Sequence, residues 1–356
     1  MIGLRGLLVL GLVSATLSQC AKAPPTPVLP IAPVKAGPEI SLTTTPVPLS
    51  AVNPPPAHLA GGAIGRFVYA GSVAISSPDT QRLHGLSDLK FGPDGGLVAV
   101  SDDGDLFEAR LKLDETGRLV GLTDGKLSPL KGLDGQPLQG KEKGDAEGLA
   151  ILPNGDRLVS FERDHRIWLY PRQPDGSYGL PRAVNKPATT FPDNEGMEAL
   201  TAYPIAGPDA YLVGGEEGEV WLCKLSAPCV ALAPQSPPDF TWGLTSFAAF
   251  EGQSVASLFR AYDPIRGWRA QVRFVIDPRA PAAKQFLAAT LTLDGAITRD
   301  NFEGIALSKS PTGATRIYIL SDDNDAPQER TLLMAFDWTA PPPPPPAPPK
   351  PMKRRR

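Results

Sequence analysis

The sequence predicts an all-β chain folded as a single β-propeller. Three observations predict it. Short apolar strands recur between Gly/Pro/Asn turns, an acidic motif opens successive copies of one unit, and the copies are spaced roughly as blade repeats are.

The clearest unit runs Asp145-Ala146-Glu147-Gly148-Leu149-Ala150, a Pro153-Asn154-Gly155-Asp156 turn, then Arg157-Leu158-Val159-Ser160-Phe161 and the polar cluster Glu162-Arg163-Asp164. A second repeats it as Asn301-Phe302-Glu303-Gly304-Ile305-Ala306-Leu307, a turn, Arg316-Ile317-Tyr318-Ile319-Leu320 and Ser321-Asp322-Asp323-Asn324-Asp325. A third starts at His84-Gly85-Leu86-Ser87-Asp88, turns at Gly92-Pro93-Asp94-Gly95 and reaches Ser101-Asp102-Asp103-Gly104-Asp105. Weaker copies start at Glu198 and Gly243. Taking Asp88, Glu147, Glu198, Ser246 and Glu303 as equivalent gives steps of 59, 51, 48 and 57 residues (147−88, 198−147, 246−198, 303−246). The strands are rich in Val, Ile, Leu, Phe and Tyr, and no long helical stripe interrupts them. A β-sandwich also has short regular strands, but gives no reason for an acidic motif to repeat at this interval. Leu149, Ile151, Ile305 and Leu307 alternate on the inner strands and are expected between blades.

The propeller is expected over 65–338, with Pro-rich segments at both ends. Residues 1–19 read as an export signal, with one charge at Arg5 and an apolar run too short to span a bilayer. Leu17-Ser18-Gln19-Cys20 resembles a bacterial lipobox, which makes Cys20 the expected lipidation site; Gln19 departs from the small residue usual there. Simple secretion is the alternative, and both readings place the protein in the cell envelope or outside it, as a periplasmic or outer-membrane lipoprotein or a secreted monomer. Residues 20–64 read as an extended tether. The remaining cysteines, Cys223 and Cys229, are close enough in sequence to suggest one local disulfide.

The tail over 339–356 is Pro-rich and basic. Removing its five positive charges (Lys350, Lys353 and Arg354 to Arg356) takes the net charge from −3 to −8. So acidic a domain argues against nucleic acid as a partner.

In a blade the start of the first strand and the end of the second lie at the same end of the channel. The acidic positions therefore gather at one mouth: Glu147 with Glu162 and Arg163, Glu303 with Asp322 and Asp323, Asp88 with Asp102 and Asp103, Glu198 with Glu216 and Glu217. Such crowding is repulsive unless a cation or basic groups neutralise it, and hard oxygen ligands select Ca²⁺ or Mg²⁺, with Ca²⁺ favoured where about six to eight flexible ligands are on offer. Glu147, Glu303, Asp322, Asp323, Asp102 and Asp103 are the expected metal ligands; Arg163, Arg260 and His84 are the expected catalytic groups. The bland alternative is turn capping by Asp and Asn, which accounts for single positions such as Asp105 or Asp164 but not for Glu at the start of an inner strand.

The two Glu-Gly units, with Ser160-Phe161-Glu162-Arg163 and Ser321-Asp322-Asp323-Asn324, resemble the bacterial phytase-like family described as having esterase-like activity. Similar elements occur in the calcium-dependent β-propeller phytases. The resemblance implies six blades, calcium and hydrolysis of a small-molecule ester or phosphoester. Only five units are visible; a sixth is expected from Phe67-Val68-Tyr69-Ala70 and degenerate sequence around 270–292.

Other chemistries lack their residues. Three histidines, His58, His84 and His165, build no His-Glu-x-x-His or three-His zinc site. Gly85-Leu86-Ser87-Asp88-Leu89 is not a Gly-x-Ser-x-Gly elbow, and Ser87 and His84 point to opposite faces of one strand. The surviving classes are a calcium-assisted ester or phosphoester hydrolase and a non-catalytic envelope propeller that binds a protein or glycan, with calcium structural.

Overall fold

A computed structural model describes residues 38–138 and 140–339. They form five blades, not six. Blade 1 is built from Leu86–Phe91, Leu97–Ser101, Asp105–Leu113 and Leu119–Pro129. Blade 2 uses Ala146–Ile151, Arg157–Phe161, Arg166–Tyr170 and Arg182–Ala183. Blade 3 comprises Ala199–Ala202, Ala210–Gly214, Val220–Lys224 and Ala227–Ala231. Blade 4 contains Trp242–Phe250, Ser254–Asp263, Gly267–Val275 and Leu287–Leu293. Blade 5 has Asn301–Lys309, Thr315–Asp322 and Leu332–Trp338.

The material expected to make a sixth blade is used elsewhere. Phe67–Ser76 pairs antiparallel with Leu332–Trp338 and supplies the fourth strand of blade 5, so the N-terminal strand completes the last blade. The sequence around 270–292 is the outer half of blade 4. The inner strands then form a ring in which that of blade 5 lies beside that of blade 1.

The expected tether over 20–64 is not free of the domain in its described part. Thr43–Pro46 and Ala63–Ile64 pair with Phe67–Ser76, while Ile40, Val47, Leu49 and Leu59 are buried. Regular hydrogen bonding and apolar side chains override the Pro-rich composition there. The export signal, Cys20 and residues 340–356 lie outside the described residues. No described helix is long and apolar enough to cross a membrane.

The apolar interior divides into five clusters, each between two neighbouring blades. Leu149 joins Val98, Val100 and Val159 between blades 1 and 2, with Ile151 at its edge. Ile305 joins Leu258, Val272 and Met334 between blades 4 and 5, with Leu307 at its edge. Side chains on both faces of each sheet are buried, so the strands carry near-continuous apolar runs; full burial of one such residue stabilises by about 1.5–3 kcal/mol.

Four inner strands carry a β-bulge near their start. The register shifts between Leu86 and Asp88, Ala146 and Gly148, Leu244 and Ser246, and Phe302 and Gly304. The extra residues are thus Ser87, Glu147, Thr245 and Glu303. Asp88 and Ser246, taken from the sequence as equivalents of the glutamates, instead align with Gly148 and Gly304. A bulge re-aims one side chain, and a slip of one residue changes which way it points.

This placement explains the Glu-Gly pair. A Cβ on Gly148 would lie 2.5 Å from the Glu198 carbonyl oxygen, and one on Gly304 would lie 2.9 Å from the Leu89 nitrogen. Glycine admits the next inner strand while the bulged glutamate projects at the mouth. In blades 1 and 4 the same position bears Asp88 and Ser246, which meet each other: Ser246 Oγ donates to Asp88 Oδ1 at 2.7 Å.

Candidate functional site: a carboxylate-lined channel mouth

Asp145, Glu147 and Glu162 form the densest part of the mouth. Asp145 and Glu147 stand two residues apart at the start of the blade 2 inner strand, and Glu162 follows the end of the strand beside it. The Glu162 amide donates to the Asp145 carbonyl at 2.8 Å, which ties the two strand ends together. One carboxylate oxygen from each residue lies within 4.8 Å of the other two. Asp145 and Glu162 are buried, whereas Glu147 keeps part of its surface open. Arg163, held at φ 57°, turns back so that its Nε donates to Asp145 Oδ2 at 2.5 Å.

More carboxyl groups surround this trio. Burial raises Glu147 well above the carboxylate range, and Glu198, Glu303, Asp145 and Glu162 push it further by repulsion. Burial with Asp145 and Glu216 close by lifts Glu162 to about 7. Glu303 reaches about 7 through burial despite Arg260, whose Nε lies 3.1 Å from its Oε1. Asn301 Nδ2 donates to the same oxygen at 2.9 Å. Glu198 and Asp322 are raised by burial first and by carboxylate neighbours second.

Three cations answer these acids. Arg260 sits among Glu303, Glu198, Glu216 and Glu147, which keep it charged although it is desolvated. Lys141, from the short helix Lys141–Gly144, pairs with Asp102 and is held above its ordinary value by Asp102, Asp145 and Asp322 against the cost of burial. Arg163 is the third. Among the described residues the carboxyl groups of this cluster, Asp102, Asp145, Glu147, Glu162, Glu198, Glu216, Glu303 and Asp322 among them, outnumber Arg163, Arg260 and Lys141, and the excess negative charge must be met by protons or by a bound cation.

Residues 81–325 match the family model described as "Phytase-like: esterase-like activity of phytase". The chain belongs to the phytase-like family.

A search of curated proteins finds no significant match to this phytase-like chain. Solved structures resemble it at low identity. A streptogramin B lyase shares 9% identity over 77% of this chain and 97% of its own, with a TM-score of 0.40. A putative gluconolactonase shares 12% over 76% and 81%, with a TM-score of 0.43. The PQQ domain of a pyranose dehydrogenase from Coprinopsis cinerea shares 10% over 85% and 98%, with a TM-score of 0.41. Likenesses at this level carry no functional argument.

The phytase-like mouth sorts the residues expected from the sequence. Glu147, Glu303, Asp322 and Asp102 interact electrostatically with others of the cluster, as does Arg260. Asp323 stands at its edge, repelling Asp322, while its Oδ1 accepts from the Gly85 amide at 3.1 Å and its Oδ2 from Thr331 Oγ1 at 2.9 Å, which fastens blade 5 to the entry of blade 1. Asp103 faces His84, with His84 Nε2 3.4 Å from its Oδ2. Asp88 is withdrawn deeper into the channel with Lys90. Cys223 and Cys229 are joined by a disulfide in blade 3.

Two residues of the phytase-like mouth were not expected. Asp145 lies two positions before Glu147, so strand alternation was a signal for it. Lys141 comes from an insertion between blades, where no repeat marks it.

Proposed function

We propose that this phytase-like propeller hydrolyses phosphate or carboxylic esters at the carboxylate-lined mouth, with Ca²⁺ held by Asp145, Glu147 and Glu162. The observation that carries the reading is the mutual distance of their three oxygens, all within 4.8 Å. Oxygens bound to one Ca²⁺ lie about 2.3–2.6 Å from it, so two of them can be separated by up to about 5 Å. The tighter shell of Mg²⁺, about 2.0–2.1 Å, accommodates such a spread less well. The donor set is all oxygen, and among the described residues Asp102 Oδ1 and Asn301 Oδ1 are also buried without a hydrogen-bond donor. These residues suit a hard cation.

Bound there, calcium supplies positive charge that polarises a phosphoryl or acyl oxygen. The chain's own groups do the rest. Arg260 and Arg163 steady the substrate oxygens through charge-assisted hydrogen bonds. Glu303 Oε1 is fixed by Asn301 and Arg260, and a carboxyl that titrates at about 7 suits a group that takes a proton from the attacking water near neutral pH. Lys141 holds Asp102 at the rim.

One specific observation favours the binding-module reading. Phe240 is 98% exposed just before the blade 4 inner strand and Ile265 is 96% exposed in the turn after its second strand, so both stand at the mouth end of the blade. Hydrolysis of a generic phosphomonoester and a generic carboxylic ester, each with calcium and with chelator, separates the two. Calcium-dependent turnover of either supports the enzyme; calcium binding with neither ester cleaved leaves calcium a staple between strands of a binding propeller. The same proposal has the domain anchored in the cell envelope through acylated Cys20. Mass spectrometry of membrane-extracted protein tests this, and a free mature N-terminus at Ala21 or Pro24 would refute it.

A further inference from the structure

The apolar cluster between blades 1 and 2 does not fill the space between their outer strands. A cavity of about 350 Å³ remains there, walled by Leu106, Pro129 and Leu130 of blade 1 and by Val159, Tyr170 and Tyr178 of blade 2. The last strand of blade 2, Arg182–Ala183, has only two residues and leaves that flank short. The segment before it folds back on itself, with Arg172 bridged to Tyr178. Tyr170 Oη donates to the Lys131 carbonyl at 3.0 Å and Tyr178 Oη to the Gly155 carbonyl at 3.2 Å, so both phenols are fixed at their tips. Leu106, Pro129 and Tyr178 stay partly exposed, an apolar wall left half open.

The charged groups of the lining are Glu108, Arg157 and Lys131. Glu108 pairs with Arg157, whose guanidinium lies 3.8 Å from the Tyr178 ring centroid, and Lys131 is exposed. The lining thus holds no unpaired buried charge, which favours a neutral, apolar occupant. Among the described residues the Arg157 Nε is buried with no acceptor, a gap that a main-chain carbonyl fills without adding charge.

The chain itself leads to this cavity. Leu127 N donates to the Pro38 carbonyl at 2.7 Å, Ile40 N donates to the Gly125 carbonyl at 2.9 Å, and Glu39 is bridged to Lys126. Residues 38–40 therefore run antiparallel along the outer strand of blade 1. The chain before Pro38 is directed past Ser128 and Pro129 towards Leu130 and Lys131, all of which line the cavity. Leu127 to Lys131 is a distance of about 13 Å along a strand, and the six residues 32–37 extend to about 20–22 Å. Those six read Ala32-Pro33-Val34-Lys35-Ala36-Gly37, with Lys35 the one charged residue. Pro33 and Pro38 bias the residues before them to extended backbone, which lowers the entropic cost of docking. Aromatic-lined grooves are a general receptor for such proline-containing segments.

We propose that residues 32–37 of this chain occupy the cavity, with Pro33 and Val34 against Tyr170 and Tyr178, and clasp blade 2 to the outer strand of blade 1. The clasp lies apart from the carboxylate mouth and depends on neither calcium nor ester hydrolysis.

The full chain with benzoylphenylalanine in place of Val34, irradiated and digested for mass spectrometry, tests it. Crosslinks within one chain to Leu106, Leu130, Tyr170 or Tyr178 are expected. Trypsin gives a readout on the native sequence: it should cut after Lys35 about tenfold or more slowly than in a free peptide of residues 30–40. Pro33→Ser/Val34→Ser should be cut as fast as its own free peptide and should melt a few degrees lower than wild type. Crosslinks between two chains would place another copy's segment in the cavity and overturn the assignment. So would crosslinks to other blades or none at all, native cleavage at the free-peptide rate, or a double variant indistinguishable from wild type.

Discussion

Lys90 Nζ lies 2.7 and 2.6 Å from the two carboxylate oxygens of Asp88, and the pair is closed off from solvent inside the ring of inner strands. Asp88 also accepts from Ser246 Oγ and from the Leu149 amide, while Lys90 reaches the Ile305 carbonyl at 3.3 Å. One ion pair thus links blades 1, 2, 4 and 5.

Burial raises Asp88 to about 6 in spite of Lys90, and it lowers Lys90 in spite of Asp88. Removing one partner leaves the other charge buried alone. Lys90→Met should therefore destabilise the protein by about 3–5 kcal/mol, and Asp88→Asn/Lys90→Met together by less than Lys90→Met alone. Denaturant unfolding monitored by tryptophan fluorescence measures both.

Gly304→Ala should be costly although it adds one methyl group. Its Cβ would meet backbone atoms of blade 1 at 2.9–3.0 Å, and main chain cannot rotate away as a side-chain tip does. A loss of about 1–3 kcal/mol is expected from forcing the strands apart. Gly313→Ala, in an open turn at φ 83°, provides the comparison: it carries backbone strain but no clash, so its unfolding midpoint should fall less.

The carboxylate mouth should make stability depend on pH in the reverse of the usual sense for acidic groups. Glu162 and Glu303 rise from an ordinary 4.5 to about 7, so the folded chain holds their protons more tightly than the unfolded chain does. Their contribution is fully present below about pH 4.5 and is lost as pH rises through about 7. In chelator the melting temperature should fall by a few degrees across that window, and calcium should remove much of the fall. A thermal unfolding series with and without calcium measures this.

Architecture was legible because the repeat is explicit: Glu147-Gly148 and Glu303-Gly304 mark two inner strands, and the turns delimit their partners. Blade number was not, because Phe67–Ser76 looks like the start of a new unit and becomes the last strand of an existing one through pairing with Leu332–Trp338. Only the closed ring reveals that. The bulges were equally hidden, so the sequence matches Asp88 and Ser246 to the glutamates, although the register sets them at the positions of Gly148 and Gly304. At the mouth, strand polarity gathers Glu147, Glu162, Glu303 and Asp322, as the order of strands in a blade requires. Asp323 was indistinguishable from Asp322 in sequence, yet hydrogen bonds to Gly85 and Thr331 turn it to a structural task.

Calorimetric titration of calcium into metal-free protein, in wild type and in Glu147→Gln, decides whether the mouth holds calcium. Wild type should bind calcium saturably and magnesium more weakly, and the affinity should fall by about tenfold or more in Glu147→Gln, which keeps the shape and removes one ligand charge. Absence of calcium binding by wild type, or equal affinity in Glu147→Gln, would contradict it.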